Sequence, residues 1–490
     1  MAAGARGARP LKRMTARAVM VCGTTSGAGK SFLATALCRW YARRGLKVAP
    51  FKAQNMSNNA RVAVGGEMGS AQYFQALAAR RIPEVRMNPV LLKPEKDTLS
   101  QVVVLGARRD DLSRMEWHAR ARRLWPTIRA CLEELADGYE VLVIEGAGSP
   151  AEINLQATDI VNMRVAEAAR AATLIISDID RGGAFAHLFG TFQLLPAEQR
   201  RLIRGFVLNK FRGDPQLLAP GPRVLEELTG VATLAVLPMW RDHGLPEEDG
   251  VFDARPSGSG RSVVIIAYPY ISNLDEFTPL KRVPGISLRW AREADTIASA
   301  DLLVLPGSKH VAADLQWLRG RGLDTAIAAY VSAGKPLLAI CGGLQMLGAE
   351  IHDPHGVEGE ARGLGLMPYA TEFLPGKHYR HASYALGELT EYWKPLSGVR
   401  FAGYEIHHGV TRGGNAATPG AAPLRAVLAD HGGWQCGQTL LLYPHGLFES
   451  PEVLRALFGR DAPTLDDTLD GLADWIDAHF AEGVLESLIA

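Results

Sequence analysis

The chain has 490 residues, too many for one hydrophobic core, and its 47% hydrophobic and 21% charged residues are ordinary for a globular protein. Lys and Arg number 53 against 52 Asp and Glu, a net charge of +1, which gives no reason to expect nucleic acid as the main partner. No apolar run approaches the ~20 residues that a membrane span needs. The cysteines at 22, 38, 131, 341 and 436 form no CxxC pair, so neither a disulfide framework nor a zinc ribbon is expected, and a reducing cytoplasm fits this usage.

Residues 1–16 carry Arg6, Arg9, Lys12 and Arg13 and no acid, followed by no apolar stretch of signal type. A disordered tail is expected there, with Met14 as a possible start. From Arg17 the pattern is α/β. Residues 18–22 (AVMVC) predict a buried strand, then comes GTTSGAGKS (23–31), then an amphipathic helix, SFLATALCRWYARRG. Residues 46–51 predict a second strand. Apolar runs at 139–148, 171–183 and 204–211 each stop at polar or glycine residues, as strands buried on both faces of a parallel sheet do. In such sheets ligands collect beyond the carboxyl ends of the strands. Residues 252–261 (FDARPSGSGR) read as a linker. The α/β pattern restarts at 262–270, 301–310 and 335–343, with strand signals near 401–406 and 439–443. Two α/β units are therefore expected, 17–251 and 262–490.

The loop at 23–31 lies between a strand and a helix, the setting of a phosphate loop. Gly27 and Gly29 let backbone N–H groups converge on phosphate oxygens, with Thr24, Ser26 and Ala28 in the same wrap. Lys30 supplies charge to the β- and γ-phosphates and the Ser31 hydroxyl suits Mg²⁺. Gly stands at 23 and Thr at 24, where the common GxxxxGK[ST] form needs Gly at 24; this variant resembles dethiobiotin synthetase and its relatives. Glu145, at a strand end in IEGAGS, is a second candidate for Mg²⁺, the alternative being an ordinary exposed carboxylate. Lys52, ending the second strand, is either a contact to the transferring phosphoryl group or a solvated lysine. Asp178, Asp180 and Arg181 in DIDRGG suit metal binding, substrate carboxylate recognition or an internal ion pair, and the pattern does not separate these.

Cys341 follows the apolar run PLLAI and precedes Gly342 and Gly343, as a nucleophile at a strained strand-to-helix turn requires. A helix N-terminus should raise its thiolate fraction. Ala339 stands where such elbows usually begin with glycine, a small enough change to be tolerated. Backbone N–H groups of Gly307 and Gly342 are candidates for an oxyanion hole. His445, after the strand TLLLYP, is the candidate base. His407 and His408, with Glu405 nearby, have no third ligand at metal spacing, and a structural or domain-contact role is expected.

The segments GTTSGAGKS, FKAQNMSNNA, IEGAGSPAEINL, DIDRGGAFA, LNKFRGD, PGSKH, CGGLQMLG, GYEIHHG and HGLFES together resemble the cobyric acid synthase family over about 18–455, with KAQNMSNN and DIDRGGAFA the most specific. The resemblance implies a P-loop, dethiobiotin-synthetase-like domain followed by a class I glutamine amidotransferase domain. It implies amidation of the b, d, e and g carboxylates of adenosylcobyrinic acid a,c-diamide, using ATP, Mg²⁺ and L-glutamine. The family's nucleophile falls on Cys341 and its histidine on His445. Asn209 is expected at the nucleotide, and Asn55, Asp178, Asp180, Arg181 and Lys210 in the corrin or nucleotide pocket. Leu447 stands where many glutamine amidotransferases carry the glutamate that orients the histidine, so a Cys–His dyad or an orienter from elsewhere is required. Cobyrinic acid a,c-diamide synthase shares the plan, but KAQNMSNN argues for the cobyric branch. Switch ATPases of the partition type carry an early second lysine where this chain has Thr25.

Overall fold

A computed structural model describes residues 15–96, 99–246, 260–413, 423–429 and 432–490. The first sheet has six parallel strands in the order Thr233–Pro238, Ile203–Phe211, Ala172–Asp178, Arg17–Gly23, Val141–Glu145, Val48–Phe51. Alternate residues of a strand face opposite sides, and here both sides are apolar: Val19 and Val21 enter one core, Met20 and Cys22 the other. This is why the sequence shows continuous apolar runs rather than alternation.

The second sheet begins with five parallel strands, Ile286–Ala291, Arg261–Ile266, Leu302–Leu305, Leu337–Ile340 and Thr439–Leu442. Antiparallel Gly433–Cys436 and Arg425–Ala426 extend it. The strand signal near 401–406 belongs elsewhere. Arg400–Gly413 pairs antiparallel with Tyr369–Ala385 in a separate small sheet, its Ile406 packed against Ala60, Leu91 and Val103 of the first unit. The two parallel sheets meet the expected α/β architecture.

The expected extent of the second unit, 262–490, needs correction at its end. The helix Leu465–His479 packs on the helix Lys30–Arg43 of the first unit. Its apolar residues Leu469, Leu472, Ala473 and Ile476 recur at helical spacing and complete that unit's core. Polar groups fix the pairing: Arg39 donates to Asp466 and Asp470 at 2.7 and 2.8 Å, and Trp40 Nε1 to Asp477 at 2.6 Å. The hydroxyl of Tyr41 donates to the carbonyl of Leu485 at 2.7 Å. Of the expected tail, residues 1–14 lie outside the described residues, whereas Thr15 donates its hydroxyl to the Ala136 carbonyl at 2.7 Å. Of the expected linker, 252–259 lies outside them, and Arg261 opens a strand.

A nucleotide site and a cysteine site joined by one segment

The loop at 23–31 wraps the carboxyl end of the strand Arg17–Gly23. Gly29 adopts φ +105°, and a Cβ there would lie 2.1 Å from the Asn209 side chain, so only glycine lets the loop pass. Asn209 Nδ2 donates to the Ala28 carbonyl at 2.9 Å, and Lys210 Nζ to the Gly27 carbonyl at 2.8 Å. The Thr24 hydroxyl lies 2.9 Å from that of Ser177, while Ser26 faces a cavity beside the loop. Lys30 Nζ donates to the carbonyls of Thr25 and Gly148 at 3.0 and 3.2 Å.

Glu145 is buried and gathers the neighbouring donors. It accepts from the Ser31 hydroxyl at 2.9 Å, from Lys52 at 2.8 Å and from Gln75 at 2.5 Å. Burial alone would raise its pKa; Lys52 and the hydrogen bonds outweigh that and hold it below the usual carboxylate range. Lys52 is thus buried and paired, not solvated. Ser31 and Glu145 present two hard oxygen donors side by side at the loop, a set that fits Mg²⁺.

Asp178, Asp180 and Arg181 lie on the opposite flank of the loop. Asp178 accepts from Lys210 at 2.9 Å and has Arg181 at 3.6 Å, and Asp180 accepts from Arg212 Nε at 2.6 Å. Of the alternatives open for DIDRGG, an internal ion-pair network is what the geometry displays. Asn55 is buried, its Oδ1 accepting the Met56 amide at 3.0 Å, while its strand neighbours Gln54 and Met56 reach the cavity beside the loop.

In the second unit Cys341 joins the strand Leu337–Ile340 to the short helix Gly342–Leu347 with φ +49°, a left-handed backbone uncommon for a side-chain-bearing residue. The turn is crowded: a Cβ on Gly342 would lie 2.6 Å from the Ser308 amide nitrogen. A Cβ on Gly307 would lie 2.8 Å from the His445 ring. Thus Gly307, Gly342, Cys341 and His445 converge. His445 is fully buried and shares a side-chain hydrogen bond with Cys341. Its Nδ1 lies 2.8 Å from Oε1 of Glu276, whose Oε2 accepts the Gly446 amide at 2.9 Å.

Sequence reading missed Glu276, the orienter that the absence of a glutamate at Leu447 demands. It sits 169 residues before His445, in the segment Leu274–Arg282. The available signal was an Asp275–Glu276 pair among apolar residues. Burial lowers the His445 pKa, but the facing Glu276 and Cys341 outweigh it and raise it to about 10. His445 therefore keeps its proton through neutrality. Asp314 was missed too. It accepts from the Ser308 hydroxyl at 2.6 Å and the Tyr270 amide at 3.0 Å, holding the turn beside Cys341, and burial raises its pKa to about 7.

A cavity of about 410 Å³ opens on Cys341. Both units wall it: Asn58, Ala60 and Lys93 from the first, Lys309, Glu358 and Lys377 from the second. Lys309 is brought down to about 8 by burial and by Lys377, and Glu358 raised to about 7 by burial. Glu358 Oε2 has no hydrogen-bond partner among the described residues. Glu67 receives Lys377 at 3.1 Å and also pairs with Lys93.

His407 and His408 stand on this wall. His407 Nδ1 donates to the Gly409 carbonyl at 2.8 Å and its Nε2 lies 3.2 Å from Glu405. His378 on the paired strand completes a group with ligand atoms within 4.8 Å of one another, a third partner that spacing in the sequence did not suggest. Tyr384 holds the other Glu405 oxygen at 2.8 Å.

One segment spans both sites. Lys52 is at the phosphate loop, and a few residues on Asn59 Oδ1 accepts the Leu274 amide at 3.1 Å. Asn273 Oδ1 accepts the Ala60 amide at 3.4 Å, and its Nδ2 lies 3.3 Å from His445. Arg61, buried, binds Asp275 through Nε at 2.8 Å and Glu449 through Nη1 at 2.9 Å. Burial opposes its charge, but these two carboxylates hold its pKa well above the usual value.

Comparison with known proteins agrees with both halves. Residues 19–248 match the CobQ/CobB/MinD/ParA nucleotide binding domain, and residues 262–453 the CobB/CobQ-like glutamine amidotransferase domain. A cobyric acid synthase of Variovorax paradoxus (strain S110) is 61% identical, covering 97% of this chain and 100% of its own. That of Polaromonas naphthalenivorans (strain CJ2) is 60% identical over 97% and 100%. That of Methylibium petroleiphilum is 60% identical over 98% of each. No helix among the described residues is long and apolar enough to cross a membrane. With a phosphate loop, a cysteine elbow and near-full-length identity of this degree, the chain belongs to the cobyric acid synthase family.

Proposed function

We propose that this chain amidates the b, d, e and g carboxylates of adenosylcobyrinic acid a,c-diamide with ATP and glutamine. The observation that carries this reading is the direct tie between two chemically distinct sites through residues 52–61. A nucleotide site alone serves many purposes. Joined to a cysteine–histidine–glutamate site, it serves ligation of ammonia to an activated acid.

At the cysteine site, Sγ of Cys341 attacks the glutamine carboxamide. The proton carried by His445 Nε2 passes to the departing nitrogen, and ammonia leaves a thioester. Water, deprotonated by His445, then releases glutamate and restores the thiol. Glu276 holds the imidazolium and fixes Nδ1. Amides at Gly307 and Gly342 stabilise the tetrahedral oxyanion, a contribution of about 3 kcal/mol per donor in comparable sites. Lys309 receives the glutamine carboxylate and Glu358 its ammonium, which is why both stand in the cavity wall.

At the loop, a substrate carboxylate oxygen attacks the γ-phosphorus and ADP leaves. The ammonia lone pair then attacks the acyl carbon, a proton is lost, and phosphate departs. Lys30 and Lys52 face the transferring group, and Asn209 the nucleotide. Ser31 and Glu145 would hold Mg²⁺, which when bound neutralises phosphate charge. The functional division follows: 17–251 with the C-terminal helices for ligation, and from 262 through 453 for glutamine.

Incubating the enzyme with the a,c-diamide, ATP, Mg²⁺ and glutamine and counting added amides by mass spectrometry tests the reading. No mass increase on this acid, with cobyrinic acid amidated at a and c instead, would assign the chain to the sister activity.

A further inference from the structure

Beside the phosphate loop lies a second cavity of about 300 Å³, whose walls include Ser26 and Gly148 of the loop region. It opens on the flank of Glu145, away from the Asn209–Lys210 side. Its lining includes Met56, Trp117, Arg120, Leu155 and Gln156. Met56 is 51% exposed, and Trp117 and Leu155 are also large apolar side chains open to solvent. Scattered single exposures need no explanation, but an apolar ledge at a polar catalytic centre does.

Arg120 is the second observation. It is only 8% exposed, and its guanidinium lies 5.1 Å from the centre of the Trp117 ring and makes no side-chain hydrogen bond or close ion pair among the described residues; Glu116 acts on it only as a nearby charge, and burial still lowers its pKa. Buried guanidinium groups are ordinarily paired, since an unpaired charge out of water is costly. Arg39 and Arg61 in this chain follow that rule, each with two carboxylates. Neither acid lining this cavity pairs with Arg120: Glu152 is exposed, and Asp159 is engaged by the backbone amides of Val161, Asn162 and Arg164.

Resting on the reading above, we propose that this cavity is where the corrinoid acid docks, with Arg120 binding one peripheral carboxylate while a neighbouring one faces the phosphate loop. The cavity is smaller than a macrocycle. It admits one edge, while Met56, Trp117 and Leu155 support the apolar face outside. A ligand with a flat apolar body and several rim carboxylates matches a ledge with one buried cation. Guanidinium geometry suits a bidentate carboxylate, so lysine at 120 would replace it poorly.

The test uses the full chain with adenosylcobyrinic acid a,c-diamide, ATP, Mg²⁺ and ammonium as nitrogen source. Arg120→Gln and Arg120→Lys should raise the corrinoid KM about 10- to 100-fold, the size of a lost charged hydrogen bond, with the ATP KM within about twofold. Arg122→Gln, an exposed neighbour on the same helix, should leave both constants unchanged. The melting temperature of the free Arg120 variants should change little, because only the contact with Trp117 and the distant charge of Glu116 are lost; a merely structural arginine would lower it markedly. A corrinoid KM within twofold of the parent in both variants overturns the site. A parent enzyme that adds no amide to any corrinoid acid overturns the proposed function together with the site. A parent that amidates while the variants match it overturns the site alone.

Discussion

Replacing Glu276 by Gln isolates the residue that stands in for the missing glutamate after His445. The substituted amide can still accept the Gly446 N–H, but its NH₂ group would face the Nδ1 proton. The lost contact is a 2.8 Å hydrogen bond between two buried charged groups. Such bonds contribute about 1.5–3 kcal/mol, so kcat/KM for glutamine hydrolysis should fall about 10- to 150-fold. Ammonia-supported amidation, which bypasses this site, should persist. The pH profile carries a second signature. His445 has a pKa raised to about 10, so in the folded enzyme its proton is held through neutrality and lost as pH climbs through about 10. Its contribution to stability is complete below the ordinary value of 6.5 and is lost as pH rises from there through about 10. Without Glu276, burial dominates, and the alkaline limb of glutaminase activity should move to lower pH. Glutaminase assays from pH 6 to pH 10 on parent and variant decide the matter. An unchanged rate and an unmoved limb would mean that Glu276 does not orient the histidine.

Further outcomes are expected. Cys341→Ser should abolish glutamine-supported amidation and spare the ammonia-supported reaction, whereas Lys30→Ala should stop both; loss of both in Cys341→Ser would refute independent half-sites. Lys309→Met should raise the glutamine KM at least about tenfold while leaving ammonia-supported kcat intact, measured by steady-state kinetics. Arg61→Met leaves the buried Asp275 without its cation, a loss of about 3–5 kcal/mol, so the thermal transition should drop and glutamine hydrolysis should uncouple from amide formation. Equal ratios of glutamate to amide in parent and variant would contradict that. Deleting residues 461–490 should expose the Lys30–Arg43 face and yield aggregated or protease-sensitive protein; a monodisperse product with parental melting would contradict the packing described.

Contiguity decided what the sequence disclosed. The phosphate loop is nine successive residues whose chemistry is local, and Cys341 with its glycines is a single turn. His445 was found because it follows an apolar strand, and Glu145 because it ends one. Glu276 and Arg120 have no such punctuation. Each is an ordinary charged residue in its own segment and gains meaning only from what the fold sets against it: a histidine 169 residues away in one case, a cavity wall without a carboxylate partner within bonding distance in the other. The helix Leu465–His479 shows an amphipathic pattern in sequence, but a stripe of leucines does not say which sheet it will cover. His378 joins Glu405 and His407 only through cross-strand register, which neighbouring spacing does not encode.

The closing helix also sets a clock. Arg39 leaves the ribosome early, while its partner Asp470 is 431 residues behind. At about 5–20 residues per second, synthesis of the intervening chain takes roughly 20 to 90 s. Throughout that interval the face of the first unit carrying Arg39 and Trp40 stays uncovered, and all the strands of the second sheet are made before it is closed. The half translated first is therefore the half finished last. A stop codon just after residue 460 would yield a polypeptide with Lys30, Cys341 and His445 all translated, yet with its first-made core still open to proteases and to other nascent chains.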